Sequence, residues 1–152
     1  MSDTNSKALV QPAFAFTETA ALGLLQAAVD KAGALGIKAT IAVVDPSGRL
    51  LAFLKMAGSF LVSSELAQKK ATTAAGMGVD TVKLENILGS APSRVLEGLT
   101  KAGDFTVIGG GVPLYWDGVL VGGVGVSGGS EDEDIECAQA AAQVVNLARA
   151  SQ

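Results

Sequence analysis

Nineteen glycines set the packing terms of this chain. They stand beside abundant alanine, while aromatic residues make up only 5% of the 152 positions. A core of this kind is built from small and branched aliphatic side chains, with backbones that approach closely. Hydrophobic residues at 49% against 17% charged argue against disorder. The length suits one domain around one core.

The chain has no histidine. Ser-His-Asp triads, imidazole-assisted thiols and most zinc or non-haem iron sites are therefore excluded. One cysteine rules out an intrachain disulfide and a Cys-rich metal site, and fits a reducing, cytoplasmic setting. No metal site is expected. The net charge is -4 and no Lys/Arg run exists, so no nucleic-acid partner is expected. No apolar run is long enough for a membrane span. Met1 to Ser6 offer no basic stretch ahead of an apolar one, so a cleaved signal peptide is not expected.

Residues 1–16 show no clear period and read as a flexible N-terminal arm; residues 17–152 read as one domain without repeats. Thr17 caps a helix to about Leu35, with Leu22, Leu25, Val29 and Ala32 on its apolar face. Residues 37–44 and 49–56 form a hairpin around Asp45-Pro46-Ser47-Gly48. Ser63 or Ser64 caps a helix to about Met77, with Leu66, Ala67, Lys70, Ala71 and Ala74 on one side. Asp80 caps a short helix to about Leu88, and a further segment runs from Pro92 or Ser93 to about Lys101. Residues 105–108 read as a strand, Gly109-Gly110-Gly111-Val112-Pro113 as a breaker. Two strands, 114–116 and 119–126, then flank Asp117-Gly118, a favoured hairpin turn. Ser130 and Glu133 have capping-box spacing ahead of a last helix to about Arg149, with Ile135, Ala138, Ala142 and Val145 facing the core. The fold class is α+β: a mostly antiparallel sheet of about five strands with helices packed against it.

Few residues suggest chemistry. The triple glycine could cradle an anion or bare the backbone to a ligand; its alternative is a strained connection. Ser127-Gly128-Gly129-Ser130 opens a helix, but the four acidic residues after it favour capping over anion binding. Lys70 is spaced to face inward, as a base or Schiff-base lysine, or in an ion pair with Glu65 or Glu136. Cys137, Met56 and Met77 read as core fillers. Of Tyr115 and Trp116, strand alternation turns one inward and one outward.

Taken in order, these pieces resemble the GlcG/HbpS family, described as haem-binding or haem-degrading and also found fused to cobalamin adenosyltransferases. The resemblance rests on Ile41-Ala42-Val43-Val44-Asp45 with Gly48, and on Ser64 with Ala67-Gln68-Lys69-Lys70-Ala71-Thr72-Thr73-Ala74. It continues in Ile108-Gly109-Gly110-Gly111-Val112-Pro113-Leu114, in residues 122–129, and in Asp134 with Cys137-Ala138. It implies a profilin-like fold, homo-oligomeric assembly, and haem or a corrinoid as ligand. Without histidine, such a ligand would need another ligating residue or none.

Two functions follow. The first is a small-molecule-binding protein accessory to catabolism, its ligand between the sheet and the 64–73 helix and in contact with Ser64, Lys70, Thr73, Gly109, Gly110, Gly111 and Pro113. The second is a cofactor-independent isomerase or lyase acting on a small organic acid or carbonyl compound. There Lys70 would pair with Asp45 or Asp134, and the Gly110 and Gly111 N–H groups would hold a developing enolate oxygen.

Overall fold

The computed structural model describes residues 8–150, so residues 1–7 of the expected arm lie outside the described residues. Helix α1 (Glu18–Leu35) is followed by strands β1 (Thr40–Val44) and β2 (Leu50–Lys55) and by helix α2 (Val62–Met77). A 3₁₀ turn (Thr81–Lys83) then leads into α3 (Leu84–Leu88) and α4 (Ser93–Thr100). Strands β3 (Gly111–Trp116) and β4 (Val119–Ser127) and helix α5 (Glu131–Ala150) complete the described residues. The sheet has the order β2-β1-β4-β3, and each neighbouring pair is antiparallel.

Local chemistry accounts for the joints. The Thr17 hydroxyl accepts the Ala20 N–H at 3.2 Å and starts α1. Asp45 Oδ1 accepts the N–H groups of Ser47 and Arg49 and closes the first hairpin. Asp117 and Gly118 both have positive φ, 53° and 78°, as a type I′ turn requires. Ser130 and Glu133 exchange both bonds of a capping box: Ser130 N–H to Glu133 Oε1 at 2.9 Å, and Glu133 N–H to Ser130 Oγ at 3.2 Å. Hydrogen bonding to the carboxyl, first from the Ser130 N–H and then from its hydroxyl, holds Glu133 below its ordinary pKa.

The sheet separates two cores. On one face, Ile41, Val43, Leu114, Val124 and Val126 pack against Leu24, Leu25 and Ala28 of α1 and Cys137, Ala138 and Ala141 of α5. On the other, Ala42 and Val44 meet Ala67, Ala71 and Ala75 of α2. Glycines complete that second face. A Cβ at Gly125 would overlap the Ala67 carbonyl oxygen, one at Gly111 the Lys70 carbonyl, and one at Gly123 would lie 2.6 Å from Ala71 O. Helix α2 therefore rests main chain to main chain on β3 and β4, and the ligand space expected between them is closed.

Other expectations change. Among the described residues there are four strands rather than about five. Residues 105–108 lack a ladder partner; the Thr106 N–H is taken instead by the Thr73 hydroxyl at 3.0 Å. The glycine run does not end before a strand: Gly111 to Pro113 belong to β3, and proline is tolerated there because β3 is an edge. Leu22 is 64% exposed, since the buried stripe of α1 runs through Ala21, Leu24, Leu25, Ala28 and Ala32. Met77 is 41% exposed, whereas Met56 packs against the larger core. Helix α2 begins one residue before Ser63 without a side-chain cap, because Ser63 Oγ bonds the Phe60 carbonyl and the Thr40 hydroxyl. Asp80 likewise makes no capping bond and pairs with Lys83 at 3.4 Å.

Candidate functional site

Lys70 is the largest side chain among the fully buried described residues, at 1% exposure. An ammonium in that position requires acceptors. Its Nζ donates to Asp134 Oδ2 at 2.8 Å and to the Val126 carbonyl at 2.9 Å, tying α2 to β4 and α5. The partner is thus Asp134 rather than Glu65 or Glu136: Glu65 pairs with Lys69, and Glu136 with Lys31. Asp134 is 4% exposed, and its Oδ1 accepts the Gly129 N–H at 2.9 Å. Burial pushes its carboxyl above the ordinary value of 3.8, with the Lys70 ammonium and the Gly129 N–H pulling the other way. Burial, followed by the Asp134 carboxylate, pushes the Cys137 thiol up to about 11, which keeps it protonated near neutral pH.

Gly110 lets the pair form. Its φ is 117°, and a Cβ there would lie 3.0 Å from Lys70 Nζ and 2.7 Å from Val126 O. The neighbouring glycines are committed. Gly109 N–H donates to Glu131 Oε1 at 3.0 Å, and Gly111 N–H to Thr81 Oγ1 at 3.0 Å. The Gly111 N–H is thus not open to an enolate oxygen.

Lys70 and Asp134 form the floor of a cleft of about 230 Å³ between the first half of α2 and the start of α5. Its apolar rim is Phe60, Val62, Leu66 and Ile108, with Phe60 70% and Val62 60% exposed. Ser63, Gly128, Gly129 and Glu131 supply polar wall. Two of the three Lys70 ammonium donors have protein acceptors among the described residues.

The other expected residues fall elsewhere. Asp45 caps the β1–β2 turn and takes no part in the cleft. Ser64 is one residue out of place: Ser63 lines the cleft. Thr73 Oγ1 donates to Asp104 O, anchoring the 104–106 segment. Pro113 lines a different cavity with Tyr115 and Asp80. Sequence reading missed Phe60, Val62 and Glu131. The first two carried a signal, an apolar triplet, Phe60-Leu61-Val62, placed immediately before a polar helix start. Among the described residues, no group of three or more His, Cys, Asp or Glu is placed to hold a metal, and no helix is long and apolar enough to cross a membrane.

Residues 16–143 match the family described as haem degrading protein HbpS-like. The corrinoid adenosyltransferase PduO of Salmonella typhimurium is 39% identical over 126 residues, covering 82% of this chain. The chain spans only 37% of that relative's length. A crystal structure of a PduOC:heme complex superposes with a TM-score of 0.80 at 36% identity, covering 88% of this chain and 96% of the other. HbpS of Streptomyces reticuli, solved as a double mutant, gives 0.81 at 30% identity, covering 92% and 93%.

Proposed function

The chain belongs to the HbpS-like family, and from that premise we propose that it is a small-molecule-binding protein whose ligand enters the Lys70–Asp134 cleft. The observation that carries this reading is the cleft's two-part character: an exposed apolar rim over one buried ammonium. That arrangement suits an amphipathic ligand, its apolar body on Phe60 and Val62 and one oxygen on Lys70 Nζ. An enclosed, histidine-ligated haem does not fit. The volume of about 230 Å³ is below the roughly 300–1,000 Å³ of enclosed small-molecule sites, and the chain has no histidine. A tetrapyrrole fits only as a ring lying across the mouth with one carboxylate toward Lys70, its metal unligated by the protein.

Titration with hemin and with metal-free protoporphyrin tests this. Both bind saturably, with affinities within about threefold of each other, because the iron has no protein ligand. Val62→Asp weakens both without unfolding the chain, since Val62 is exposed. Failure of both rings to bind, or a strong preference for the iron form, overturns the proposal.

The convergence of Lys70 and Asp134 favours one second reading: proton transfer on a small organic acid or carbonyl compound. Its signature is solvent-deuterium incorporation next to the carbonyl, lost in Asp134→Asn. The proposal also includes a cytoplasmic, catabolism-linked role and assembly of copies through β2. That edge strand exposes Leu50, Leu51, Phe53 and Leu54 by 36–49%, a surface that favours pairing.

A further inference from the structure

A second cavity, of about 430 Å³, lies beneath the segment that enters α1, against the end of β3 and the later half of α5. Its walls are Phe14, Phe16, Trp116, Val121, Val144 and Val145. The whole chain has five Phe, one Tyr and one Trp, and three of these seven rings meet here. None of the described residues around it is charged. The polar side chains present are Thr17 and Thr19, and the Thr17 hydroxyl is already occupied as the cap of α1. The volume lies inside the roughly 300–1,000 Å³ range of small-molecule sites.

We propose that this cavity is a binding site for an uncharged, flat, ring-bearing small molecule, separate from the Lys70 cleft. The argument is one of matching. An ionised group would lose its water here and find no counter-charge. An apolar ring displaces that water and stacks on or against the three aromatic side chains. Porphyrin carboxylates meet no cation among the described residues lining this site, so the two ligand classes sort between the two sites by charge.

The single tryptophan makes the test direct, because Trp116 emission reports on this cavity alone. The probe is N-phenyl-1-naphthylamine, neutral and aromatic. It binds saturably at one per chain and quenches Trp116 as its own emission rises. A naphthalene sulfonate of similar size binds about tenfold more weakly, for want of a cation. Phe14→Ala, at a half-exposed position, weakens the neutral probe roughly three- to tenfold. Ala20→Phe fills the cavity and removes the binding. Both variants keep the wild-type circular dichroism and protoporphyrin titration, which separates loss of this site from loss of the fold or of the Lys70 cleft. The proposal fails if the neutral probe does not saturate, if Ala20→Phe binds it unchanged, or if Trp116 emission follows protein concentration in place of probe. The last result would make the cavity a contact between copies of the chain.

Discussion

On the α2 side of the sheet, Gly111, Gly123 and Gly125 meet main-chain atoms of the helix. On the opposite side, Ile41, Val43, Leu114, Val124 and Val126 interlock with the side chains of α1 and α5. The same strands build both faces, by alternation of small and branched residues. The first face is set by what is missing from it, the second by what fills it. Functional groups follow the split. The buried ion pair forms at the end of the close-packed face, where Gly110 leaves room for Lys70 Nζ, and the aromatic cavity opens on the side-chain face.

The sharpest way to break this contrast is Lys70→Met. It leaves Asp134 buried without its cation and costs about 3–5 kcal/mol in urea unfolding. Adding Asp134→Leu recovers most of that loss; a double variant as unstable as the single one would show that the pair acts through something other than charge compensation. Leu24→Ala tests the side-chain face and costs about 3 kcal/mol, the price of a cavity. Gly125→Ala tests the other by adding one carbon. It pushes α2 off the sheet and lowers stability by about 2 kcal/mol, although alanine in place of glycine ordinarily helps through the unfolded chain. A neutral or stabilising Gly125→Ala would erase the distinction between the faces.

The smallest effect is that of pH. The folded Asp134 carboxyl has a raised pKa, caused first by burial. The stability it contributes by holding its proton is therefore complete below the ordinary 3.8 and is lost as pH climbs through the raised folded value. Urea titrations of the wild type and Asp134→Asn across this window give a difference that shifts in favour of the variant as pH rises. A difference that moves the opposite way means that Lys70 outweighs burial.

Much of the frame was legible in the sequence, because its signals are local. Asp117-Gly118, the Ser130/Glu133 box and Thr17 each name a turn or a cap through bonds made within a few residues. The inward face of Lys70 was legible too, from helical spacing. Its partner was legible only as one candidate among Asp45, Asp134, Glu65 and Glu136, since Asp134 is 64 positions away and reaches it only once α2 lies on the glycines. Residues 105–108 misled for a related reason: their β-branched and aromatic composition suits a strand, but a distant side chain, the Thr73 hydroxyl, takes the Thr106 N–H in place of a ladder. Leu22 misled because hydrophobicity alone does not place a helix on its axis; the alanines beside it fit the narrow contact with α5 better. The cleft's rim was visible as a sequence triplet, but only its exposure gives it meaning.

Proline at position 113 reaches beyond its own strand. It removes a donor from one border of the sheet, while the opposite border, β2, contains no proline. Two molecules joined border to border by a twofold axis at β2 would turn both proline-bearing margins outward. Strand-by-strand growth would then stop at the pair, and a protein with so apolar a margin would be kept from propagating into a fibre.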